Sequence, residues 1–146
     1  IEEFLSRLGR GNFAQWLSQT RVRDSVLERD YSAGRTLLEP LRLDVRRELP
    51  FVVQLEGQWL EGQIDRLVLV SEGNQLVAAQ VVDFKTGPIV ESELEAEAAR
   101  HAPQLQIYRQ EIGELFGLNL DAISTSVVFT SVTALDGTRF CRDQAV

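Results

Sequence analysis

The stretch "VVDFKTG" at residues 81–87 places an acid and a lysine two positions apart in a run that is otherwise apolar and that ends in a glycine turn. Side chains two residues apart on a β-strand share one face of the sheet. We therefore expect Asp83 and Lys85 on one face, and Val82 and Phe84 on the other face, which we assign to the core. Ionised groups beside a packed sheet need solvent, a mutual salt bridge or a ligand, because burying them unpaired is costly.

A second acid, Asp65, lies in the apolar stretch "EGQIDRLVLV" at residues 61–70. The "SEGN" segment that follows is a hairpin turn signal. A turn centred near residue 73 places position 65 opposite about position 81, within a step or two of Asp83. Two carboxylates on adjacent strands repel each other, and a divalent cation relieves that repulsion.

These residues have two interpretations. Asp65, Asp83 and a backbone carbonyl are hard oxygen ligands of the kind that suit magnesium or manganese. Lys85 beside such a metal would hold an attacking water or stabilise charge on a phosphate, so the group predicts phosphodiester hydrolysis, with the glycine turn leaving room for a substrate strand. The other interpretation is a salt bridge between Asp83 and Lys85, which contributes about 0–1 kcal/mol when exposed.

The rest of the chain predicts one α/β (α+β) domain over residues 1–146 in which helices flank a small mixed β-sheet. Residues 1–42 have helical patterns, and an α/β core covers 43–146. Three consecutive strands with short turns predict an antiparallel meander, and its first strand has a kink or an edge position at Pro50. After the next helix the sequence predicts either one further strand or two, the second of them around Arg139–Cys141.

The next helix is predicted over Glu91–Phe116 from its content of Ala, Glu, Leu and Gln, with Gly117 marking its end. Four polar side chains share one face of it at spacings of four, three and four residues: Glu97, His101, Gln104 and Tyr108. This face either reaches phosphates or bases, or it is solvated. Pro103 favours a break, so a second helix starting at Gln104, with His101 in the preceding turn, is the alternative to one continuous helix.

Composition bounds the function. The net charge of −7 argues against a free-standing nucleic-acid binder, and it is uneven, with a net of +2 over residues 1–47 and −9 over the rest. The single cysteine, Cys141, excludes a disulfide framework. With one cysteine, a reducing, cytoplasmic compartment is the default expectation, and the longest apolar runs are too short to cross a membrane. The chain begins with Ile rather than Met, and we expect a fragment of a longer protein.

Three motifs occur in the order of a known family. "EGQIDRL", "VVDFKTG" and "QLQIY" contain Gly62-x-x-Asp65, then Asp83-x-Lys85-Thr86, then Gln104-x-x-x-Tyr108. This pattern resembles the PD-(D/E)XK nuclease superfamily, and within it the RecB/AddB-type nuclease domain of DNA-repair helicase–nucleases. "RELPF" at 47–51 is also similar to the strand that precedes these motifs, and the resemblance covers roughly residues 46–130.

The resemblance implies a restriction-endonuclease-like core and a Mg²⁺- or Mn²⁺-dependent deoxyribonuclease of the exonuclease type. Asp65, Asp83 and the backbone carbonyl of Phe84 would bind the metal, and Lys85 would complete the catalytic group. Three helix residues would contact DNA or support the site: Gln104, Tyr108 and His101. The implied partners are DNA and a helicase portion, in the same chain or in a partner subunit.

One family feature is missing. Many members complete the metal site with a His or Glu from an upstream helix, and residues 1–42 contain no His. Glu28, Glu39 and Glu48 are candidates by residue type, and a ligand before Ile1 is the alternative, in which case the fragment is inactive alone. Two other functions stay open: a non-catalytic DNA-binding or scaffolding domain that retains the fold, and a plain soluble domain whose charges form salt bridges.

Overall fold

The computed structural model describes residue 34 and residues 36–146. The helices predicted in residues 1–30 lie outside the described residues. Within the described part the chain forms one α-helix, two short 3₁₀ turns at Glu91–Glu93 and Leu120–Ala122, and six strands. In chain order the main elements are β1 (Leu41–Leu55), β2 (Gln58–Glu72), β3 (Gln75–Lys85), β4 (Ile89–Val90), α1 (Leu94–Phe116), β5 (Ile123–Thr133) and β6 (Arg139–Ala145).

The strands form one mixed sheet in the order β1-β2-β3-β5-β4, with β6 paired to β5. Strands β1, β2 and β3 are antiparallel neighbours, as is the β5–β6 pair, whereas β3 and β4 both run parallel to β5. Helix α1 therefore makes the crossover that parallel neighbours require. The predicted mixed α/β sheet, its three-strand meander and both later strands are confirmed; β4 was not predicted, because two residues are too few to give a periodic pattern.

The β2–β3 hairpin sets the relative position of the two acids. Its turn consists of two residues, and Gly73 takes a φ of +58°, which favours glycine. A bulge between Val70 and Ser71 shifts the register by one residue, so that Arg66 pairs with Val82. Continuing this register places Asp65 across from Asp83. Position 65 was predicted across from about position 81 because the turn is centred between residues 73 and 74 rather than at 73, and because the bulge adds one further position.

Strand β1 forms the edge of the sheet, which confirms the edge position predicted at Pro50. The pairing of β1 with β2 is interrupted at Glu48, which lies between the pairs Arg47–Arg66 and Leu49–Ile64 and is therefore across from Asp65. Glu48 has a φ of +50°, a left-handed conformation that is uncommon for a residue other than glycine. The backbone is thus irregular beside Asp65.

The main core lies between helix α1 and the sheet face that carries Val81. Because Val81, Asp83 and Lys85 alternate with Val82 and Phe84, the charged pair shares the face of this main core. Val82 and Phe84 belong to a second, smaller cluster on the other face. We predicted that the core lies on the face of Val82 and Phe84. That prediction was wrong for the main core, which lies on the opposite face, and only the smaller cluster is found where it was predicted.

Helix α1 runs through Pro103 without a break, so the alternative of a second helix starting at Gln104 is wrong, and His101 is helical. Proline removes one backbone hydrogen bond and leaves the carbonyl four residues earlier without a partner in the helix. Here that carbonyl belongs to Ala99, and both Ala99 and Pro103 are exposed to water. Buried residues on both sides of Pro103, including Ala98 and Leu105, pack against the sheet and keep the helix continuous.

Candidate active site

Asp83 and Lys85 form an ion pair at the end of β3. The Lys85 Nζ atom lies 2.8 Å from Asp83 Oδ2, and the two side chains are 29% and 7% exposed, respectively. The pair is therefore largely buried, unlike the exposed salt bridge considered as an alternative. No donor meets the Asp83 Oδ2 atom in hydrogen-bonding geometry, even though the ammonium is close. A buried carboxylate oxygen in this state can accept a further positively charged group.

Asp65 is joined to the same strand end by a backbone hydrogen bond. The Phe84 N–H donates to Asp65 Oδ2 at 2.7 Å. Burial raises the pKa of Asp65 above its ordinary value, and the Asp83 carboxyl raises it further through its charge and by hydrogen bonding, while the Phe84 N–H and Lys85 oppose the increase. The Asp83 carboxyl is thus close enough to affect the ionisation of Asp65.

The donors at this strand end fit a hard divalent cation. Two carboxylates and one ammonium carry a net charge of −1 when all are ionised, and carboxylate oxygens are ligands that magnesium and manganese prefer. The Asp83 oxygen that lacks an aligned donor is the observation that supports this fit. Within the described residues, however, no group of three His, Cys, Asp or Glu side chains lies close enough to hold a metal. Asp65 and Asp83 are therefore an incomplete ligand set without the carbonyl, water or a further residue.

The three candidates for a missing acidic ligand have different positions. Glu28 lies outside the described residues. Glu39 packs against Gly73 at the hairpin turn. Strand β3 begins beside this turn at Gln75, and Asp83 lies eight residues further along it, roughly 27 Å away at the rise of a strand. Glu39 is therefore at the wrong end of the hairpin to be a ligand. Glu48 lies across from Asp65 in the β1–β2 register, and it is exposed.

Tyr108 and Gln104 connect helix α1 to the strand that carries Asp65. The Gln104 amide donates to Tyr108 Oη at 2.6 Å, and the Tyr108 hydroxyl donates to the Gln63 carbonyl at 3.3 Å. Tyr108 is only 2% exposed. Burial raises the pKa of Tyr108, and the charges of Asp83 and Asp65 raise it further. The hydrogen bond from Gln104 lowers the pKa and partly offsets this increase. The tyrosine therefore lies beneath the acids and supports β2, and it is not a surface contact.

Gly62 has a packing role in the same support. The ring of Phe51 meets the ring of Tyr108 edge-on, with 4.8 Å between centroids and an angle of 79°. A Cβ atom on Gly62 would overlap this Phe51 ring. The first motif glycine thus leaves space for the aromatic pair that holds β2 near Asp65. Sequence reasoning gave Phe51 no role, although it ends the "RELPF" stretch.

His101 lies in a groove beside Lys85, apart from Gln104 and Tyr108. The groove has a volume of about 490 Å³ and is lined on one side by the Thr86–Pro88 turn and on the other by Glu97 and His101. The His101 Nε2 atom lies 3.3 Å from Glu97 Oε1. The predicted polar stripe of the helix is therefore divided: Glu97 and His101 face the groove, and Tyr108 is buried against β2.

A further polar residue, Thr130, supports Lys85. Its side chain is completely buried, and its hydroxyl donates to the Lys85 carbonyl at 3.3 Å. Pairing of β3 with β5 ends at Lys85 and Phe129, and pairing resumes between Ile89 and Val132. Thr130 thus occupies the gap where the chain leaves the sheet. The sequence contained a signal for this role, because Thr130 is a polar residue that directly follows an apolar run in β5.

Comparison with protein families identifies the family of the chain. A model of the PD-(D/E)XK nuclease superfamily matches residues 3–133. The chain belongs to the PD-(D/E)XK nuclease superfamily. Proteins of this superfamily generally hydrolyse nucleic acids and typically use divalent metals such as Mg²⁺. No match was found among curated proteins or among solved structures.

Membership of the PD-(D/E)XK superfamily gives the chain a nuclease-type domain with the restriction-endonuclease-like fold. Asp65, Asp83 and Lys85, which are the acidic and basic residues of the motifs, converge at the end of β3. In the part of the chain that the structure describes, there is no helix long and apolar enough to cross a membrane.

Proposed function

We propose that this chain is a metal-dependent DNA nuclease domain that hydrolyses phosphodiester bonds with Mg²⁺ or Mn²⁺. The observation that carries the proposal is the convergence of Asp65 and Asp83 beside Lys85 in a PD-(D/E)XK chain. The Asp83 Oδ2 atom supports the metal part of it, because no donor meets this buried oxygen in aligned geometry although the Lys85 ammonium lies 2.8 Å away.

In this mechanism the protein supplies ligands and a cation. Asp65, Asp83 and the Phe84 carbonyl would hold the metal, which when bound lowers the pKa of a water ligand and polarises a phosphoryl oxygen. The Phe84 N–H fixes the Asp65 carboxylate against β3. Lys85 shares its face of β3 with Asp83, so its ammonium is placed to bind the attacking water or the phosphate oxygen on which charge develops.

The proposed setting is a RecB/AddB-like helicase–nuclease that acts on DNA in the cytoplasm during repair. Six Lys and Arg residues against fifteen Asp and Glu follow residue 47. Nucleic-acid affinity depends on basic contacts to phosphates, so we assign most of those contacts to a helicase portion in the same chain or in a partner subunit. A helicase that delivers strand ends would make the cleavage exonucleolytic.

The first experiment is a manganese titration by calorimetry on the native chain, on Asp83→Ala and on Asp136→Ala. Asp136 is an exposed acid in the β5–β6 turn whose carboxylate accepts a hydrogen bond from Thr138, so it serves as the control. We expect binding by the native chain and by the Asp136 variant, and loss of binding in the Asp83 variant. Equal binding by all three would contradict the assigned ligands.

A second experiment separates catalysis from scaffolding. The protein with its upstream residues is incubated with labelled single- and double-stranded DNA in Mg²⁺ or Mn²⁺, beside the Lys85→Met variant. Metal-dependent cleavage that Lys85→Met lacks supports the nuclease. Metal binding without cleavage of either DNA would support the non-catalytic DNA-binding or scaffolding alternative, and absence of metal binding even with upstream residues would support the salt-bridge alternative.

A further inference from the structure

The groove beside Lys85 is adjacent to the two acids without being formed by them. Its lining includes Lys85 and Phe84 from the end of β3, while Asp65 and Asp83 do not line it. Lys85 therefore contacts Asp83 and also lines the groove, so a phosphate held by Lys85 would lie next to both. The groove is placed to receive the part of a DNA chain next to the cleaved phosphate.

The groove combines apolar surface with carboxylates. Pro88, Ile89 and Phe129 contribute apolar atoms, and Glu93 and Glu97 contribute acidic groups. A second phosphate there would be repelled by those carboxylates. A base and its sugar carry no charge and would not be repelled. A base also has apolar faces and polar edges that can accept or donate hydrogen bonds, which fits this lining.

The polar side of the groove is fixed in position. Glu97 bonds Arg100 at 2.7 Å through one oxygen and lies 3.3 Å from His101 through the other. The side chains of Glu97 and His101 are 31% and 23% exposed, so both are partly ordered by packing. The groove thus combines an oriented polar pair with apolar residues, which is the pattern of small-molecule sites.

The size of the groove and the charge around it limit the substrate. A volume of about 490 Å³ is within the range of sites for single small ligands. A duplex would place a second phosphate backbone near a surface that carries Glu93 and Glu97 and few basic residues. One nucleoside of an unpaired strand satisfies both limits.

We propose that the groove between the Thr86–Pro88 turn and the Glu97–His101 pair binds the nucleoside that flanks the cleaved phosphate of single-stranded DNA. This proposal rests on the proposed nuclease function and adds its substrate class. The nucleoside enters with its phosphate at Lys85, its base against the apolar side and its polar edge toward Glu97 and His101.

Gly87 allows the groove to be blocked without disturbing the fold. It lines the groove, a Cβ atom added to it would meet nothing within 4 Å, and its φ is not in the region that excludes other residues. Gly87→Leu therefore introduces a side chain beside the bound nucleoside, and Gly87→Ala introduces a smaller one. Gln106→Leu adds the same leucine at an exposed helix position outside the groove.

The test compares two single-stranded oligonucleotides in the cleavage assay described above. One is intact, and the other has a single abasic residue next to the bond that the native protein cleaves. Stacking of a base in a site has effects that correspond to roughly tenfold or more in affinity. For the native protein we expect the abasic residue to raise KM about tenfold with little change in kcat.

The variants test whether the substitution at Gly87 and the abasic residue in the DNA act on the same site. We expect Gly87→Leu to raise KM for the intact strand, with Gly87→Ala intermediate and Gln106→Leu like native, and the abasic residue to add no further increase in Gly87→Leu. Equal KM values for both strands in the native protein would overturn the nucleoside site, and this comparison stands even if Gly87→Leu fails to fold. If the KM increases caused by Gly87→Leu and by the abasic residue multiplied, the nucleoside site would also be overturned. Absence of any metal-dependent cleavage by the native protein would instead contradict the proposed function itself.

Discussion

Asp65 Oδ2 accepts a hydrogen bond from the backbone N–H of Phe84 at 2.7 Å, which ties β2 to β3 between Asp83 and Lys85. The bond holds the Asp65 carboxylate close to a second acid, and burial together with that acid raises the pKa of Asp65. The metal-free site therefore keeps a charge arrangement that opposes folding, as is common where function requires perturbed groups.

Replacing Asp65 by Asn removes the charge and leaves an oxygen that can accept the Phe84 N–H. We expect the thermal midpoint of the metal-free protein to stay the same or rise, because the repulsion from Asp83 and the desolvation of a charge disappear. At 100 times its Kd, a bound metal stabilises the native protein by about 2.7 kcal/mol, and we expect the variant to gain much less. Differential scanning calorimetry with and without Mn²⁺ measures both effects. A lower midpoint without metal would show that the charge of Asp65 stabilises the fold and would contradict this prediction.

Replacing Lys85 by Met keeps the unbranched side chain up to the ε position and removes its cation. Asp83 is largely buried, so we expect lower stability without metal, and recovery of stability when Mn²⁺ is added. We expect metal affinity to be retained and kcat to fall about 10²–10³-fold, as for loss of a group that stabilises developing charge. Calorimetry and single-turnover cleavage separate these effects, and loss of metal binding would instead make Lys85 part of the metal site.

The Tyr108 hydroxyl makes two bonds, to Gln104 and to the Gln63 carbonyl. Tyr108→Phe leaves the edge-on contact with Phe51 and removes both bonds, so we expect the free energy of unfolding to fall by about 1 kcal/mol or somewhat more. Gln104→Ala removes only one of them and should cost less. Denaturant unfolding measures the difference. If Tyr108 contacted DNA directly, the variant would keep its stability and lose DNA affinity.

The sequence predicted the parts of the site that follow from local rules. Two-residue alternation put Asp83 and Lys85 on one face, and the hairpin turn signal brought Asp65 near them. It could not predict the bulge at Val70 or the left-handed φ of Glu48, because each depends on how neighbouring strands pack. Of the two positions by which Asp65 is offset, the bulge accounts for one, and the turn, which is centred between residues 73 and 74, accounts for the other.

The core face was misassigned for a related reason. Alternation shows which side chains share a face, but it does not show which face the helix covers. Helix α1 covers the face of Val81, so Asp83 and Lys85 lie at the margin of the main core. Similarly, Pro103 left a break in the helix open as an alternative because its local effect is unfavourable, whereas the packing of Ala98 and Leu105 on both sides of it kept one helix.

Thr130 gives a test of how Lys85 is positioned. Its buried hydroxyl donates to the Lys85 carbonyl at 3.3 Å, in the gap between the β3 and β4 pairings with β5. Thr130→Val keeps the shape and removes this bond, which should lower stability by about 1 kcal/mol. Because small displacements of a reacting group are costly, we expect kcat to fall about 10- to 100-fold, with metal affinity unchanged.

Thr130→Ser is the matched variant, because it retains the hydroxyl and loses only a methyl group. We expect it to recover most of the cleavage rate even though it packs less well, so that rate and stability diverge between the two variants. Single-turnover cleavage and thermal midpoints, measured on both, provide the comparison. If the Ser variant were as slow as the Val variant, packing of the methyl group rather than the bond to Lys85 would determine the rate, and Thr130 would have no positioning role.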